Sequence, residues 1–152
     1  MRRLLSWKSL LTGLGVALLA TLAQASGSWV ATAPPVQVVM PDRPVQSADM
    51  MPPTAELAQG QVMGRVSWQF QPPAGSEVNA WLCHTGGCVA LSGPRGYTEA
   101  LTGIAADSVL YFQFALQDRQ QRAMTLRGLQ VIVNHHGSTL NPTRPVERIR
   151  TL

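Results

Sequence analysis

The chain lacks several features that identify common functional classes. Charged residues make up only 13% of the 152 residues, aromatic residues 6%, and no lysine follows Lys8. It has no G-x-S-x-G sequence around a serine, and no phosphate-binding glycine loop beyond residue 25. N-glycosylation is also not expected, because Pro142 follows Asn141. These absences argue against a nucleophile-elbow hydrolase and a phosphate-loop nucleotide enzyme.

Long hydrophobic runs are missing as well. The apolar run at residues 10–22 covers roughly 13 residues, where a membrane-spanning helix needs about 20. Basic residues precede this run, and the small residues Ala23 and Ala25 follow it, as in a secretory signal. The sequence therefore predicts cleavage between Ala25 and Ser26, export by the general secretion route, and no stable membrane span afterwards.

Cleavage changes the charge balance. Of the twelve basic residues, Arg2, Arg3 and Lys8 leave with the signal, so nine arginines remain against eight Asp plus Glu. A net charge of about +1 supplies no strong field for a polyanion. We therefore expect no nucleic-acid partner.

The only two cysteines lie in one stretch, residues 78–91, where two apolar runs flank His84-Thr85-Gly86-Gly87. If the runs pair as a hairpin, Cys83 and Cys88 face each other within about 4.5–5.5 Å, which suits a disulfide. Two free buried thiols are the alternative. A metal site that recruits distant histidines is disfavoured by the C-x4-C spacing.

Alternating apolar residues predict short strands along the rest of the chain. The predicted strands cover residues 27–31, 36–39, 61–70, 78–83, 88–91, 97–104, 109–116 and 123–134. In the third, Val62, Val66, Trp68 and Phe70 are assigned to one face and Met63 to the other. Gly128 is the expected site of a bulge.

These strands predict an all-β fold, a single antiparallel β-sandwich (immunoglobulin-like or a flattened barrel) with one short-loop disulfide hairpin. Residues 1–25 are the predicted signal peptide and residues 26–136 the domain. A Pro-rich irregular connection is expected at residues 40–60, and a flexible C-terminal tail at residues 137–152.

Candidate catalytic groups are sparse. His84 lies at the predicted hairpin tip, and the neighbours His135 and His136 would point to opposite faces of a strand. The carboxylates lie in or beside predicted turns. We expect no catalytic residue, no metal and no cofactor. Trp29, Trp81 and Tyr111 are the candidate partner-binding residues, although strand positions of this kind usually belong to the core.

Four short segments together carry a family resemblance: A-W-L-C at 80–83, C-V-A-L-S-G at 88–93, L-T-G-I-A-A at 101–106 and Q-V-I-V-N at 130–134. In this order they resemble the periplasmic flagellar protein FlhE family. The Pro-rich connection and the extended tail depart from that family, so the resemblance gives them no function.

The resemblance implies a non-enzymatic periplasmic accessory protein of flagellar assembly. Its partners would be flagellar rod or export-apparatus proteins, and it would act as a chaperone or limit proton leakage through the export apparatus. We expect an edge strand near Trp29 and residues 36–39, or the aromatic strand 109–116, to pair with an extended client segment. The alternative is a secreted carbohydrate-binding β-sandwich that uses Trp81 and Trp29.

The signal prediction is tested by N-terminal sequencing and intact mass of the exported protein. The first residue of the mature chain should be Ser26, because signal peptidase selects small residues at the positions of Ala23 and Ala25. A product that retains residues 1–25 would contradict it.

Overall fold

A computed structural model describes residues 26–138. The predicted signal peptide and residues 139–152 of the predicted tail lie outside the described residues. The described part contains nine strands and one 3₁₀ turn, Ala55–Leu57. The strands are β1 Gly27–Ala33, β2 Val36–Val38, β3 Val45–Gln46, β4 Gln61–Gln71, β5 Asn79–His84, β6 Gly87–Leu91, β7 Arg95–Thr98, β8 Tyr111–Ala115 and β9 Met124–Gly137.

The strands form two antiparallel sheets, which confirms the predicted all-β sandwich. The first sheet has the order β1-β9-β4-β7, and β2 also pairs with β9. The second sheet has the order β3-β8-β5-β6. Phe70 of β4 packs against Phe112 and Phe114 of β8, at ring-centroid distances of 6.1 and 5.1 Å. These contacts join the inner faces of the two sheets.

Strand β9 contains a bulge at Gly128. That residue has φ +60°, a conformation that favours glycine. The pairing of β9 with β4 shifts register at the same place, between Gln69 and Gln71. On the other side of β9, β1 ends at Ala33 and β2 begins at Val36 after two prolines. The predicted bulge is confirmed, and it lets one long strand serve the whole first sheet.

The connection at residues 40–60 contributes to the second sheet. Val45 pairs with Phe114, and Ser47 Oγ accepts a hydrogen bond from the Phe112 N–H at 2.9 Å. Met50 forms a bridge with Leu110 and is only 1% exposed. A segment that proline content marks as irregular therefore covers one edge of β8.

The predicted face assignment within β4 was wrong at Met63. This side chain is buried, whereas Val62 is half-buried. A register shift between Met63 and Val66 inserts an extra residue against β9, so the alternation changes face there.

Two predicted strand boundaries were also wrong. β7 ends at Thr98, because the next residues form turns in which Thr102 N–H bonds to the Glu99 carbonyl and Ile104 N–H to the Leu101 carbonyl. β9 instead continues through the histidines to Gly137. Pairing with β1 on one side and β4 on the other sustains it despite its polar side chains.

Within residues 26–138, no helix has the length and apolar composition that a membrane crossing requires.

Gly96 provides a test of the packing between β7 and β4. A Cβ atom there would lie 2.6 Å from Trp68 Cζ2, and the Trp68 indole is held by a hydrogen bond to the Gly93 carbonyl at 3.0 Å. We expect Gly96→Ala to lower the free energy of unfolding by about 1–3 kcal/mol, measured by urea denaturation. Gly93→Ala is the matched control, because its Cβ would meet nothing within 4 Å. Equal stability of the two variants would contradict this packing.

Candidate partner-binding edge

The cysteine hairpin is a structural clip. Cys83 and Cys88 form a disulfide with a Cα–Cα distance of 4.0 Å, as the spacing predicts. Pairing continues to His84 and Gly87, and the His84 Nδ1 accepts the Gly86 N–H at 3.1 Å. A loop this short leaves little chain entropy to remove, so the bond chiefly fixes the register of β5 and β6.

Trp81 and Tyr111 lie on the outer face of the second sheet. Tyr111 is the register partner of Cys83, and Trp81 lies opposite Gln113 and Ala90. Both aromatic residues are half-buried, whereas Cys83 is completely buried. Trp81 also lines an open cleft of about 350 Å³, together with the neighbouring Glu77 and Asn79.

Trp29 lies in the core. It is 2% exposed, and its indole Nε1 donates a hydrogen bond to the Ala106 carbonyl at 2.9 Å. The ring therefore offers no surface to a partner in this structure. Its role here is to anchor β1 to the loop that follows β7.

The histidines do not form a catalytic arrangement. Their hydrogen-bond partners are the Gly86 N–H, the Gln61 side-chain oxygen and the Gly137 carbonyl, none of which is a nucleophile or a carboxylate. Within residues 26–138, no group of three or more His, Cys, Asp or Glu side chains is placed to hold a metal ion. Nothing in this geometry points to acid–base or metal chemistry.

Strand β1 is an edge strand without the usual protection. It lies at the end of the first sheet, and among the described residues its free side makes no backbone hydrogen bond to another segment. It contains no charge and no proline in seven residues. Proteins usually protect edges with lysine, proline, bulges or very short strands. β3 has two residues, and β7 has four, beginning with Arg95. β6, the other edge of the second sheet, has five residues with no charge or proline, but the disulfide clips it to β5.

Exposed apolar side chains surround this edge. Val30 of β1 is 40% exposed, and its register partner Ile132 is 38% exposed. Leu57, in the 3₁₀ turn beside β1, is 47% exposed. Val39 and Met40, which directly follow β2, are exposed as well. We call β1, β2 and these five side chains the edge surface.

Only part of this surface was predicted from the sequence. The edge predicted near Trp29 and residues 36–39 agrees with the structure, but the other predicted edge, the aromatic strand 109–116, was wrong. β8 lies between β3 and β5. Leu57 was missed because it follows a proline-rich stretch without alternation. Ile132 was missed because it lies on β9, the partner of β1, and not on the edge strand itself.

The comparisons with known proteins agree with this fold. The family model described as "Flagellar protein FlhE" matches residues 36–136, more than half of the chain. The chain belongs to the FlhE family. The matched region begins at β2 and ends one residue before the end of β9, so the Cys83–Cys88 hairpin lies inside it. The flagellar affiliation that the sequence segments suggested is thereby established.

A solved structure supports the FlhE fold. The "Crystal Structure of FLHE" is similar with a TM-score of 0.64 and 24% identity, covering 72% of this chain and 96% of that chain. A "Cyanophage Pam1 capsid asymmetric unit" also matches, with a TM-score of 0.46, 11% identity, and coverage of 91% and 100%. The second similarity is too low to carry an argument. No curated protein matches the chain significantly.

The clip function of the hairpin can be tested by replacing both cysteines with serine. We expect a loss of about 2 kcal/mol in the free energy of unfolding, because the closed loop is short, and a domain that remains folded. Urea denaturation gives the loss, and faster hydrogen exchange confined to β5 and β6 would locate it. Complete loss of folding would show that the disulfide holds more than the hairpin.

Proposed function

We propose that this FlhE-family protein is a non-enzymatic periplasmic accessory of flagellar assembly that acts as a chaperone. Family membership supports the flagellar role, and the disulfide together with the predicted signal peptide supports an oxidising compartment outside the cytoplasm. The proposed partners are flagellar rod or export-apparatus proteins.

The edge surface is the observation that supports a chaperone best. An extended client segment can pair with the free N–H and C=O groups of β1, and main-chain bonds of this kind depend little on the client's sequence. Val30 and Ile132 on the outer face, with Leu57 beside the strand, supply apolar contacts for its side chains. Because β1 has no charged side chain, we expect its client segment to carry little charge as well.

Limiting proton leakage through the export apparatus is the other role within this class. It would use the same edge surface with a different partner, so the identity of the bound protein distinguishes the two roles. A carbohydrate-binding module is the second candidate function. The half-buried Trp81 in its open cleft, beside Glu77 and Asn79, has the aromatic and polar groups that sugars bind.

Photocrosslinking in flagellated cells tests the proposed function. Crosslinkers at Ser28, Val30 and Thr32, which point outward from β1, should capture rod or export-apparatus proteins. Val30→Lys should reduce capture at Ser28 severalfold, because a lysine on an edge opposes strand addition. Its stability should change by no more than about 0.5 kcal/mol, since Val30 is exposed.

Gln46→Lys is the matched control. Gln46 is exposed on β3, an edge strand of the second sheet, so its substitution should leave capture unchanged. Capture of no flagellar protein from β1 would contradict the proposal. If a peptidoglycan fragment then shifted the fluorescence of Trp81, the carbohydrate-binding function would replace it.

A further inference from the structure

A buried histidine lies where β1 begins. His135, near the end of β9, is the register partner of Gly27 in β1 and of Met63 in β4. It is only 4% exposed, whereas the adjacent His136 is half-buried. His135 therefore lies at the end of the first sheet where three strands meet, including the first residue of the edge strand.

The His135 ring is packed tightly, and among the described residues only one of its two nitrogens has a hydrogen-bond partner. Its Nδ1–H donates to the side-chain oxygen of Gln61, which leaves Nε2 as a lone-pair acceptor. Nε2 is buried, and among the described residues it has no hydrogen-bond partner. A Cβ on residue 27 would lie 2.7 Å from Cε1 of the ring and 3.2 Å from Nε2. The ring thus rests directly on the backbone of β1.

No described carboxylate compensates a positive charge on this ring. β4 presents the neutral Gln61 and Met63, β1 presents the uncharged Gly27, and β9 adds the titratable His136.

The charged groups farther from the ring do not stabilise protonated His135 either. Arg65, which is paired with Glu99 at 3.0 Å, lines the adjoining cleft, and so does Ser26, whose α-ammonium group adds a positive charge there once residues 1–25 are removed. Both charges are positive and oppose protonation of His135. Asp107 is exposed on the loop whose Ala106 N–H bonds to the Gln61 carbonyl, and it does not contribute to the pKa of His135.

Burial, and secondarily the neighbouring His136, lower the pKa of His135 below its ordinary value of 6.5. The folded protein therefore takes up this proton less readily than the unfolded chain. The stability that neutral His135 contributes is complete above pH 6.5, and it is lost as the pH falls below 6.5 towards the lowered value.

We propose that His135, Gln61 and Gly27 form a pH-sensitive latch, in which protonation of His135 releases the beginning of β1 from β9. A second N–H on the ring would have no acceptor, and the new positive charge would be buried against the Gly27 backbone. β1 is paired on one side only, so opening its end exposes less surface than opening β4 or β9. The latch rests on the proposed function for its role: it makes client binding at the edge surface depend on the pH of the compartment.

Amide hydrogen exchange and NMR on the mature protein, purified from the periplasm, test the latch without any partner. Between pH 7 and pH 5, protection of the β1 amides should fall by up to about tenfold per pH unit, the limit for one proton, while the β5 and β6 amides stay protected. The imidazole ¹⁵N signals of His135 should show the Nδ1–H form at neutral pH and protonation below pH 6.5.

His135→Gln removes the titration while retaining a polar side chain beside Gln61, so β1 protection in that variant should no longer depend on pH. His84→Gln is the matched control, because His84 lies at the hairpin tip and should leave the pH dependence unchanged. The latch is excluded if His135 titrates at or above 6.5, or if His135→Gln keeps the wild-type pH dependence. The wild-type NMR titration decides the case should His135→Gln fail to fold.

The crosslinking experiment separates failure of the latch from failure of the proposed function. Release of β1 at low pH without capture of any flagellar protein would support the latch but contradict the proposed chaperone function. Capture that is equal at pH 7 and pH 5, with β1 protected at both, would retain the chaperone and overturn the latch.

Discussion

Strand β9 is the constraint on which the rest of the structure depends. It pairs with β1 and β2 along one side and with β4 along the other, and so it organises the first sheet alone. The bulge at Gly128 lies at the level where the pairing with β4 shifts register and where β1 gives way to β2. The same strand carries Ile132 to the exposed face and His135 to the buried end.

The two sheets differ in how their terminal strands are held. The second sheet holds the disulfide hairpin, and its β8 is covered on both sides by β3 and β5. The first sheet ends in an edge strand with no charge, no proline and no further pairing among the described residues. Opening of β1 would therefore leave the strand pairing within the second sheet unchanged.

How far the sequence predicts this fold depends on how local the determining contacts are. The alternation around Phe112 and Phe114, and the cysteine pair in its short hairpin, involve neighbouring residues, and both were predicted correctly. Met63 was misplaced because a register shift against β9 changes its face. The strand position of Trp29 favours burial, but its hydrogen bond to the Ala106 carbonyl, far along the chain, is encoded by no local pattern.

The two prolines between β1 and β2 set a length for anything that pairs with this edge. Neither has an N–H to donate, so a strand added to β1 cannot continue its hydrogen bonds onto β2 without a break. Seven residues of β1 extend about 24 Å at roughly 3.4 Å per residue. A segment that paired with this edge would therefore be limited to about the seven residues of β1.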